Sequence, residues 1–479
     1  MSNSLSSMVK TRFCPSPTGL LHFGNIRTAL FNVLFAKKES GIFLLRIEDT
    51  DQERSSSKYT EQLQQDLLWL GLSWQEGPGK EGEAEPYYQS QRQTIYDHYY
   101  QELQKMGRAY YCFCSEEELA LARKLQRSAG KPPRYPGTCR NLTPSQVDEK
   151  LAKQLKPTLR FKVQEEEIIT FRDIVKGDQT FKGGDIGDFI ICRTDGTSPF
   201  LFCNAIDDAL MKVTHILRGE DHLTNTPRQI LILKALNLPI AEYGHIALII
   251  GNDGSPLSKR HGSKSMVELR EEGYLPAAIN NYLARLGHYY GHDNFLGLEQ
   301  LAEEFKTTNL SKAPAKFNLQ QLNYWQKIAV DHLNIEEFEN WLGKSVKEKV
   351  PETKWQAFMQ IFRKNILFPA EALSWQAILF QDIIINPELF NSVEVHPEYF
   401  QCAISAYRTY GNNFVAILEA IKQQLQLKGK SLFQPLRLAL TTLSHGPELD
   451  KLASLISEEE ILKRLEQAQS VVSQCKTPN

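Results

Sequence analysis

Residues 9–50 constrain the fold of this chain more than any other segment, because they alternate strand, helix and strand. The apolar stretch VKTRFCP is followed by the loop SPTGLLHFG, a helix from Asn25 to about Lys38, and a second apolar stretch, GIFLLRIED. Two strands joined by a helix form a βαβ unit, in which the strands are parallel. The opening of the chain therefore predicts a nucleotide-binding parallel sheet.

The same alternation returns after an irregular middle. The segment LMKVTHILRGEDHLTNTPRQILILKAL predicts a strand ending at Arg218 and a helix beginning near Pro227, and beyond Gln320 apolar residues recur at helical spacing. We therefore predict an α/β protein with an all-α C-terminal part. The first half of a Rossmann-like catalytic domain (1–106) is followed by an inserted α/β subdomain (107–195) and by the second half of the catalytic domain (196–250). A region with a basic loop comes next (251–320). The last part is a helical region (321–479), which is expected to hold two subdomains.

Length and composition narrow the class of protein. A chain of 479 residues predicts two to four domains, and no apolar run is long enough to span a membrane. The first ten residues lack an apolar signal core, and the eight cysteines are scattered, so a reducing cytoplasm is expected. A net charge of −2 excludes a uniformly basic surface, but residues 119–145 and 420–447 contain no acidic residue. Such runs are usually solvated surface, although two of them also suit a long polyanion.

Two loops carry candidate phosphate chemistry. In the first, Gly19 and Gly24 leave room for a ligand to approach the N-terminus of a helix, which binds anions. His22 could donate to phosphate oxygens there. In the second, SPLSKRHGS, the side chains of Lys259 and Arg260 could close over a triphosphate. Either loop alone is more often an ordinary surface turn, so the prediction depends on the two occurring together.

Polar residues at the ends of predicted strands are candidates for ligand contacts, although any one of them alone is more often an ordinary strand-end residue. Arg12 and Arg218 are suited to carboxylates because the guanidinium is a planar fork. Glu48, with Ser16 nearby, could hold an ammonium group. Ligands of open parallel sheets bind at the carboxyl edge, where we expect these side chains to converge.

Several motifs resemble those of one family. PSPTG…HFGN and LSKRHG are similar to the HIGH and KMSKS signatures of class I aminoacyl-tRNA synthetases, and most closely to the glutamyl-tRNA synthetases. RIEDTDQERS (46–55), THILRGEDHLTNTPRQ (214–229), GYLPAAINNYLARLG (273–287) and QPLRLALT (434–441) resemble that family too, so the resemblance covers essentially the whole chain. Two positions depart from it: Asn25 replaces the second histidine of HIGH, and Phe200 replaces a tyrosine near the amino-acid pocket.

The resemblance implies a glutamate–tRNA ligase of translation that forms glutamyl-adenylate from L-glutamate and ATP with Mg²⁺, and then charges the 3′-terminal adenosine of tRNA-Glu. The implied catalytic residues are His22 and Lys259. The implied ATP-binding residues are Ser16, Thr18, His22, Gly24, Asn25, Glu220, Asp221, Ser258, Lys259 and Arg260. The implied glutamate-binding residues are Arg12, Ser16, Glu48, Phe200, Asn204 and Arg218. The implied tRNA-binding residues are Arg123, Lys124, Arg134 and Arg437. A monomer is expected, with residues 107–195 at the acceptor end of the tRNA and the C-terminal helices at the anticodon.

The resemblance also raises the question of zinc. Cys112, Cys114 and Cys139 match three ligands of a structural zinc found in some family members, whose fourth ligand is a histidine two places after the third cysteine. That place is Asn141 here, and structural zinc is almost always four-coordinate. On sequence grounds no metal is therefore assigned.

Alternatives remain open from the sequence. A non-discriminating enzyme would also glutamylate tRNA-Gln. A truncated relative that modifies another tRNA lacks the helical C-terminal half, and other nucleotidyl transferases lack the glutamate-pocket motifs. A catalytically silent RNA-binding paralogue would tolerate Asn25 and Phe200, but has no need of His22, Lys259 and both arginines.

Overall fold

The computed structural model describes residues 8–50 and 55–474, except for the side chain of Lys259. Contacts divide the chain into two units. The first runs to Leu269 and takes in Pro276–Leu322, and the second comprises Arg270–Leu275 and the residues from Asn323 onward. The finer, five-part division made from the sequence stays a prediction. None of the helices in the described part of the chain is long and apolar enough to cross a bilayer.

The strands of the described residues all belong to the first unit. In chain order they are β1 (Lys10–Phe13), β2 (Ile42–Leu45), β3 (Ala109–Cys112), β4 (Thr158–Phe161), β5 (Ile168–Asp173), β6 (Gly177–Lys182), β7 (Phe189–Cys192), β8 (His215–Gly219), β9 (Glu242–Ile246), β10 (Ile249–Ile250) and β11 (Ala315–Lys316).

Helices lie between the strands and make up the rest of the regular structure. Up to residue 304 they are α1 (Phe23–Lys38), α2 (Ser57–Trp69), α3 (Gln93–Lys105), α4 (Glu116–Ser128), α5 (Pro144–Ala152), α6 (Gly183–Ile186), α7 (Phe200–Leu210), α8 (Thr226–Ala235), α9 (Met266–Glu272), α10 (Pro276–Arg285) and α11 (Leu298–Glu304). From residue 319 they are α12 (Leu319–His332), α13 (Ile335–Leu342), α14 (Lys344–Lys347), α15 (Glu352–Phe362), α16 (Pro369–Phe380), α17 (Tyr399–Tyr410), α18 (Phe414–Leu425), α19 (Lys430–Thr441), α20 (Leu449–Ala453) and α21 (Glu458–Gln474).

The predicted βαβ unit is present. β1 and β2 run parallel, with Thr11 opposite Phe43, and α1 connects them. α1 begins at Phe23, slightly before the predicted start, because His22 has extended backbone angles (φ −121°, ψ 172°) and forms the N-cap. Most of the helix is buried, including apolar residues on every side, as expected for a helix covered by a sheet on one face and by further elements on the other.

A second parallel pair extends the catalytic part. β8 and β9 pair with Arg218 opposite His245, and β8 lies beside β1, where Thr214 N donates to Lys10 O at 2.9 Å. α8 then begins at Thr226, as the sequence predicts within one residue. This arrangement brings the end of β1, at Phe13, and the end of β8, next to Arg218, to the same edge of the sheet.

The segment between the two pairs forms its own small sheets. β3, β4 and β7 make an antiparallel sheet, and β5 and β6 form a hairpin. The end of that hairpin returns to the catalytic strands, because Ile174 N donates to Tyr243 O of β9 at 2.8 Å.

The second unit is helical, in agreement with the apolar spacing of its sequence. Its core includes Trp355 and Trp375, which are 7% and 8% exposed. These indole rings pack among other aromatic side chains, with Trp375 centred 5.5 Å from Phe362. The tryptophans are thus core residues, as amphipathic helices most often use them.

Candidate active site

A cavity of about 770 Å³ opens where β1 and β8 end. The polar side chains that line it come from five separate stretches of sequence, so only folding brings them together. The predicted site residues among its lining are Arg12, Ser16, Thr18, His22, Gly24, Asn25, Glu48, Phe200, Asn204, Arg218, Asp221 and Ser258.

Two predicted ATP-binding residues, Glu220 and Arg260, do not line the cavity. Glu220 does not line the cavity, because its carboxylate accepts from Lys176 Nζ and, at 3.0 Å, from Leu248 N. Adjacency to Arg218 suggested a ligand contact, but a 3₁₀ turn begins at Glu220 and redirects it. Arg260 is exposed, and its guanidinium donates to Ser255 Oγ at 2.9 Å rather than lining the cavity. The Lys259 side chain lies outside the described residues.

The two predicted phosphate loops do meet. A β-bridge joins His22 to Ser265, and Met266 N donates to Leu21 O at 3.1 Å. Around His22 the space is open, since a Cβ added at Gly24 would contact no atom within 4 Å. The buried Nδ1 of His22 has no hydrogen-bond partner among the described residues. A helix N-terminus and an imidazole thus face the same part of the cavity, which is a favourable environment for an anion.

Arg12, Glu48 and Arg218 lie at what we call the deep end of the cavity. Hydrogen bonds and ion pairs with neighbouring side chains hold the two arginines in place. Arg218 donates from Nε to His245 Nε2 at 3.2 Å and from Nη2 to Thr226 and Gln229 at 2.6 and 2.8 Å. Its buried Nη1 has no partner in the described part of the chain. Arg12 Nε lies 3.4 Å from both carboxylate oxygens of Asp208. Both arginines line the cavity, and the network leaves Arg218 Nη1 without a partner among the described residues. A planar cation with an unused donor suits a carboxylate.

Burial shifts the pKa values of Glu48 and Arg218 at the deep end of the cavity. Burial raises the pKa of Glu48 to about 8, although Arg46 and Asn204 act in the opposite direction. Burial likewise lowers the pKa of Arg218 to about 10, which still leaves it charged at neutral pH. A substrate ammonium beside Glu48 would favour the carboxylate form.

The sequence interpretation missed a set of buried residues that support the arginines. Arg46 is fully buried, contacts Asp208 Oδ1 at 2.8 Å and donates to Asn204 Oδ1 at 2.8 Å. Arg92 pairs with the neighbouring Asp207 at 2.7 Å. The available signal was an arginine directly after a short buried strand and two consecutive aspartates inside an apolar helix, since buried charges require partners.

His222 was also missed. It lines the cavity, and its ring lies 4.8 Å from that of Phe200. Burial lowers the pKa of His222 to about 4, so the imidazole is neutral at pH 7. Phe200 also lines the cavity, and the rings of Phe200 and His222 pack together beside its polar residues.

The three cysteines of the inserted segment converge, and a fourth donor joins them. Their sulfur atoms lie within 4.8 Å of one another, with Cys114 Sγ 3.7 Å from Cys139 Sγ. The hydroxyl of Tyr135 lies 3.3 Å from Cys112 Sγ and 3.7 Å from Cys114 Sγ. Asn141, the expected position of the fourth ligand, is exposed. The donor set thus fits a four-coordinate ion through Tyr135, a residue that sequence spacing did not suggest.

The predicted tRNA-binding residues differ in their surroundings. Arg123 and Lys124 are both exposed on the surface of α4. Arg134 is engaged with Asp185 at 2.8 Å, and Arg437 Nη2 donates to Pro447 O at 2.8 Å. Arg123 and Lys124 are therefore accessible to a polyanion. Arg134 and Arg437 also hold their own loops through these hydrogen bonds.

Comparison with known families assigns this architecture. Residues 8–324 match the family model described as tRNA synthetases class I (E and Q), catalytic domain, which is more than half of the chain. The chain belongs to the class I tRNA synthetases (E and Q). Residues 335–469 match an anticodon binding domain, as expected for a synthetase of this family.

Individual relatives agree along almost the whole chain. Glutamate–tRNA ligase 2 of Coxiella burnetii (strain RSA 331 / Henzerling II) is 55% identical over 464 residues, covering 96% of this chain and 100% of the relative. Glutamate–tRNA ligase 2 of Nitrosococcus oceani is 53% identical over 460 residues, covering 96% and 98%. A crystal structure of a glutamate tRNA ligase from Elizabethkingia meningosepticum, in complex with its amino acid, superposes with a TM-score of 0.86 at 28% identity, covering 97% of this chain and 99% of that one.

These comparisons confirm the family resemblance and the fold class predicted from the sequence. The class I fold places a Rossmann-like catalytic domain before a helical anticodon domain, and the parallel strand pairs and the helical second unit agree with it. The assignment of individual site residues rests on the geometry described above.

Proposed function

We propose that this chain is a glutamate–tRNA ligase that activates L-glutamate with ATP and transfers it to tRNA-Glu in the cytoplasm. The observation that supports this best is the convergence of Arg12, Arg218 and Glu48 in the same cavity as His22 and Ser258. A substrate with two carboxylates and one ammonium matches the two cations and one carboxylate at the deep end. The names of the relatives point to the same reaction.

In the first step, an α-carboxylate oxygen of glutamate attacks the α-phosphorus of ATP. A C–O–P link forms, the bond to the bridging oxygen breaks, and pyrophosphate leaves with the electron pair. The nucleophile is already ionised at neutral pH, so no general base is required. Catalysis therefore depends on alignment and on donors directed at the phosphate charge.

Residues at the two ends of the cavity supply those functions. Arg12 and Arg218 hold the carboxylates and Glu48 holds the ammonium, which fixes the attacking oxygen. His22, at the N-terminus of α1, donates to the α-phosphate as charge develops, and Lys259 approaches from the second loop. Asn25, Thr18, Gly24 and Asp221 line the part of the cavity left for the nucleotide. Mg²⁺ supplies further neutralisation of the polyphosphate when bound.

Transfer to the tRNA is the second step. The terminal ribose hydroxyl attacks the carbonyl carbon of the adenylate, and AMP leaves. Arg123 and Lys124 are proposed to contact the acceptor end, because they are exposed and belong to the acid-free run of sequence in the inserted segment. Arg437 is proposed to serve the anticodon side, where unstacked bases are recognised.

The experiment that tests this function is acylation with radiolabelled glutamate, run separately on purified tRNA-Glu and tRNA-Gln. Charging of tRNA-Glu alone supports a discriminating ligase, and charging of both supports the non-discriminating alternative. Charging of neither, with ATP and Mg²⁺ present, overturns the proposal in favour of a silent RNA-binding paralogue.

The cysteine group would hold a structural zinc ion through Cys112, Cys114, Cys139 and Tyr135. Burial raises the pKa of the Cys112 thiol, but hydrogen bonds from Tyr135 and Arg160 lower it to about 7, so thiolate is available near neutral pH. Zinc there would tie the loop carrying Cys139 to the end of β3. Metal analysis of freshly purified wild type and Tyr135→Phe tests this: about one zinc per chain is expected in the wild type and less in the variant, and no zinc in either would contradict it.

A further inference from the structure

A buried chain of hydrogen bonds runs from the inserted hairpin to the arginine at the deep end of the cavity. Asp173, the last residue of β5, lies 2.5 Å from His245 Nδ1 through Oδ2. On the other side of the ring, His245 Nε2 is 3.2 Å from Arg218 Nε. Asp173 is 2% exposed and His245 is 0% exposed. Neither side chain lines the cavity.

The partners of Asp173 fix its protonation and orientation. Its Oδ1 accepts from the backbone N–H groups of Val175, Lys176 and His245, at 2.9, 2.7 and 3.2 Å. These three donors hold Asp173 as a carboxylate, and its other oxygen then requires a proton from the imidazole. The Nδ1 atom of His245 therefore carries the hydrogen, and Nε2 is an acceptor.

That tautomer decides which hydrogen bonds the Arg218 guanidinium can make. An acceptor at Nε2 receives the Nε–H of Arg218, and Thr226 Oγ1 lies 3.0 Å from the same nitrogen while accepting from Arg218 Nη2. Nη2 also donates to Gln229. Nε and Nη2 are thus used to set the plane of the guanidinium, and the buried Nη1 has no partner among the described residues. If the proton were on Nε2, two N–H groups would face each other and the guanidinium would have to rotate.

We propose that Asp173 and His245 are positioning residues for glutamate binding, acting through Arg218. Asp173 selects the imidazole tautomer, and His245 fixes the plane of the Arg218 guanidinium while Nη1 has no partner among the described residues. The glutamate pocket is therefore set by a residue of the inserted hairpin, and a link parallel to this one joins Lys176 of the same hairpin to Glu220. The inference rests on the proposed function, because it assumes that Arg218 binds a glutamate carboxylate.

The test compares two amides at position 245 in the full-length protein. In His245→Asn the amide nitrogen takes the place of Nδ1 and donates to Asp173, but no acceptor reaches Arg218. In His245→Gln the amide oxygen reaches the place of Nε2 and accepts from Arg218, but Asp173 loses its donor. The KM values for glutamate and for ATP are measured in tRNA-dependent pyrophosphate exchange, and the melting temperature is measured for each protein.

We expect the KM for glutamate to rise roughly 10- to 100-fold in His245→Asn, because a hydrogen bond that orients a charged group is lost. In His245→Gln it should stay within about threefold, although this variant should melt at the lower temperature because Oδ2 of the buried Asp173 carboxylate loses its donor. The KM for ATP should change little in either. Equal glutamate KM values in the two variants, or KM values that follow melting temperature, would overturn the proposal.

Four further variants keep the test decisive if a position 245 variant does not fold. Asp173→Asn keeps the shape but presents N–H to Nδ1, which moves the proton to Nε2, so the glutamate KM should rise as in His245→Asn. Thr226→Val should raise it by a smaller factor, and Thr226→Ser, which retains the hydroxyl, should not. Arg218→Lys separates the two levels of the argument. An unchanged glutamate KM there contradicts the proposed clamp itself, whereas a raised KM with normal Asp173 and Thr226 variants contradicts only the positioning role.

Discussion

The deep end of the cavity and its mouth are constructed in opposite ways. Arg12, Glu48 and Arg218 are between 4% and 8% exposed, and the two arginines are held by side chains from other elements. At the mouth, Asn25 and Ser258 are exposed and belong to loops or to the first turn of a helix. Rigid surroundings suit discrimination of a small substrate, whereas exposed loop residues are free to close on a larger one. The comparison predicts that substitutions at the deep end change glutamate binding, while those at the mouth change the chemical step.

The largest effect is expected at the deep end from Arg218→Glu. A carboxylate there would repel the substrate and remain buried beside Thr226 and Gln229, so the kcat/KM for glutamate should fall at least about 1,000-fold. Steady-state pyrophosphate exchange measures it, with Lys212→Glu as control, because that exposed lysine undergoes the same change of charge. A glutamate KM equal to that of the wild type would remove Arg218 from the pocket.

The next largest effect is expected at the mouth from Lys259→Ala. Loss of an ammonium that meets developing phosphate charge should lower kcat for activation by about 100- to 1,000-fold while the KM for glutamate changes little. Arg260→Ala is the matched comparison, and it should cost far less, because Arg260 is engaged with Asp253 and Ser255 on the exposed side of the loop. Activity of Lys259→Ala within a few-fold of the wild type would contradict the closing role of this loop.

A pH profile sharpens the comparison at an intermediate scale. With a raised pKa of about 8, Glu48 is largely protonated in the free enzyme below that pH and cannot pair with an ammonium. The kcat/KM for glutamate should therefore fall by about tenfold per pH unit below 8, since this parameter reports the free enzyme. In Glu48→Gln the value should be lower throughout and that slope should disappear. A wild-type profile that is flat from pH 6 to 8 would show that another group holds the ammonium.

The smallest effect is expected from Phe200→Tyr, which restores the hydroxyl that the family usually has near this pocket. One added hydrogen bond to the substrate should lower the glutamate KM about fivefold, and the ATP KM should not change. The ring of Phe200 packs against that of His222, with the two centroids 4.8 Å apart. If glutamate binding weakened instead, the deep end would be packed too closely to accept the oxygen.

Local sequence was sufficient for the elements and for many of the residues that line the cavity, although not for His222. Strand-end arginines and the loop with His22 follow from patterns within some forty residues, and the βαβ unit and α8 formed where their periodicity indicated. The supporting contacts were not predictable in this way. Asp173 and His245 are 72 residues apart, and Arg46 and Asp208 are more than 150 apart, so only the packed fold pairs them.

Two individual positions show the same limit. Glu220 follows Arg218 in the sequence, yet a turn of 3₁₀ helix begins at Glu220 and its carboxylate accepts from Lys176. Tyr135 precedes Cys139 by four places, and its hydroxyl lies near the sulfur atoms although the spacing of the cysteines does not indicate it. The nucleotide contact of Glu220 and the zinc site both stay predictions.

The most direct test of the central claim is a crystal structure with a non-hydrolysable analogue of glutamyl-adenylate. The account predicts that the side-chain carboxylate or the acyl group lies within hydrogen-bond distance of Arg218 Nη1 and Arg12, with the ammonium at Glu48 and the adenosine beside Gly24 and His22. An analogue bound outside this cavity, or bound in it with the adenosine at the arginines, would contradict the account.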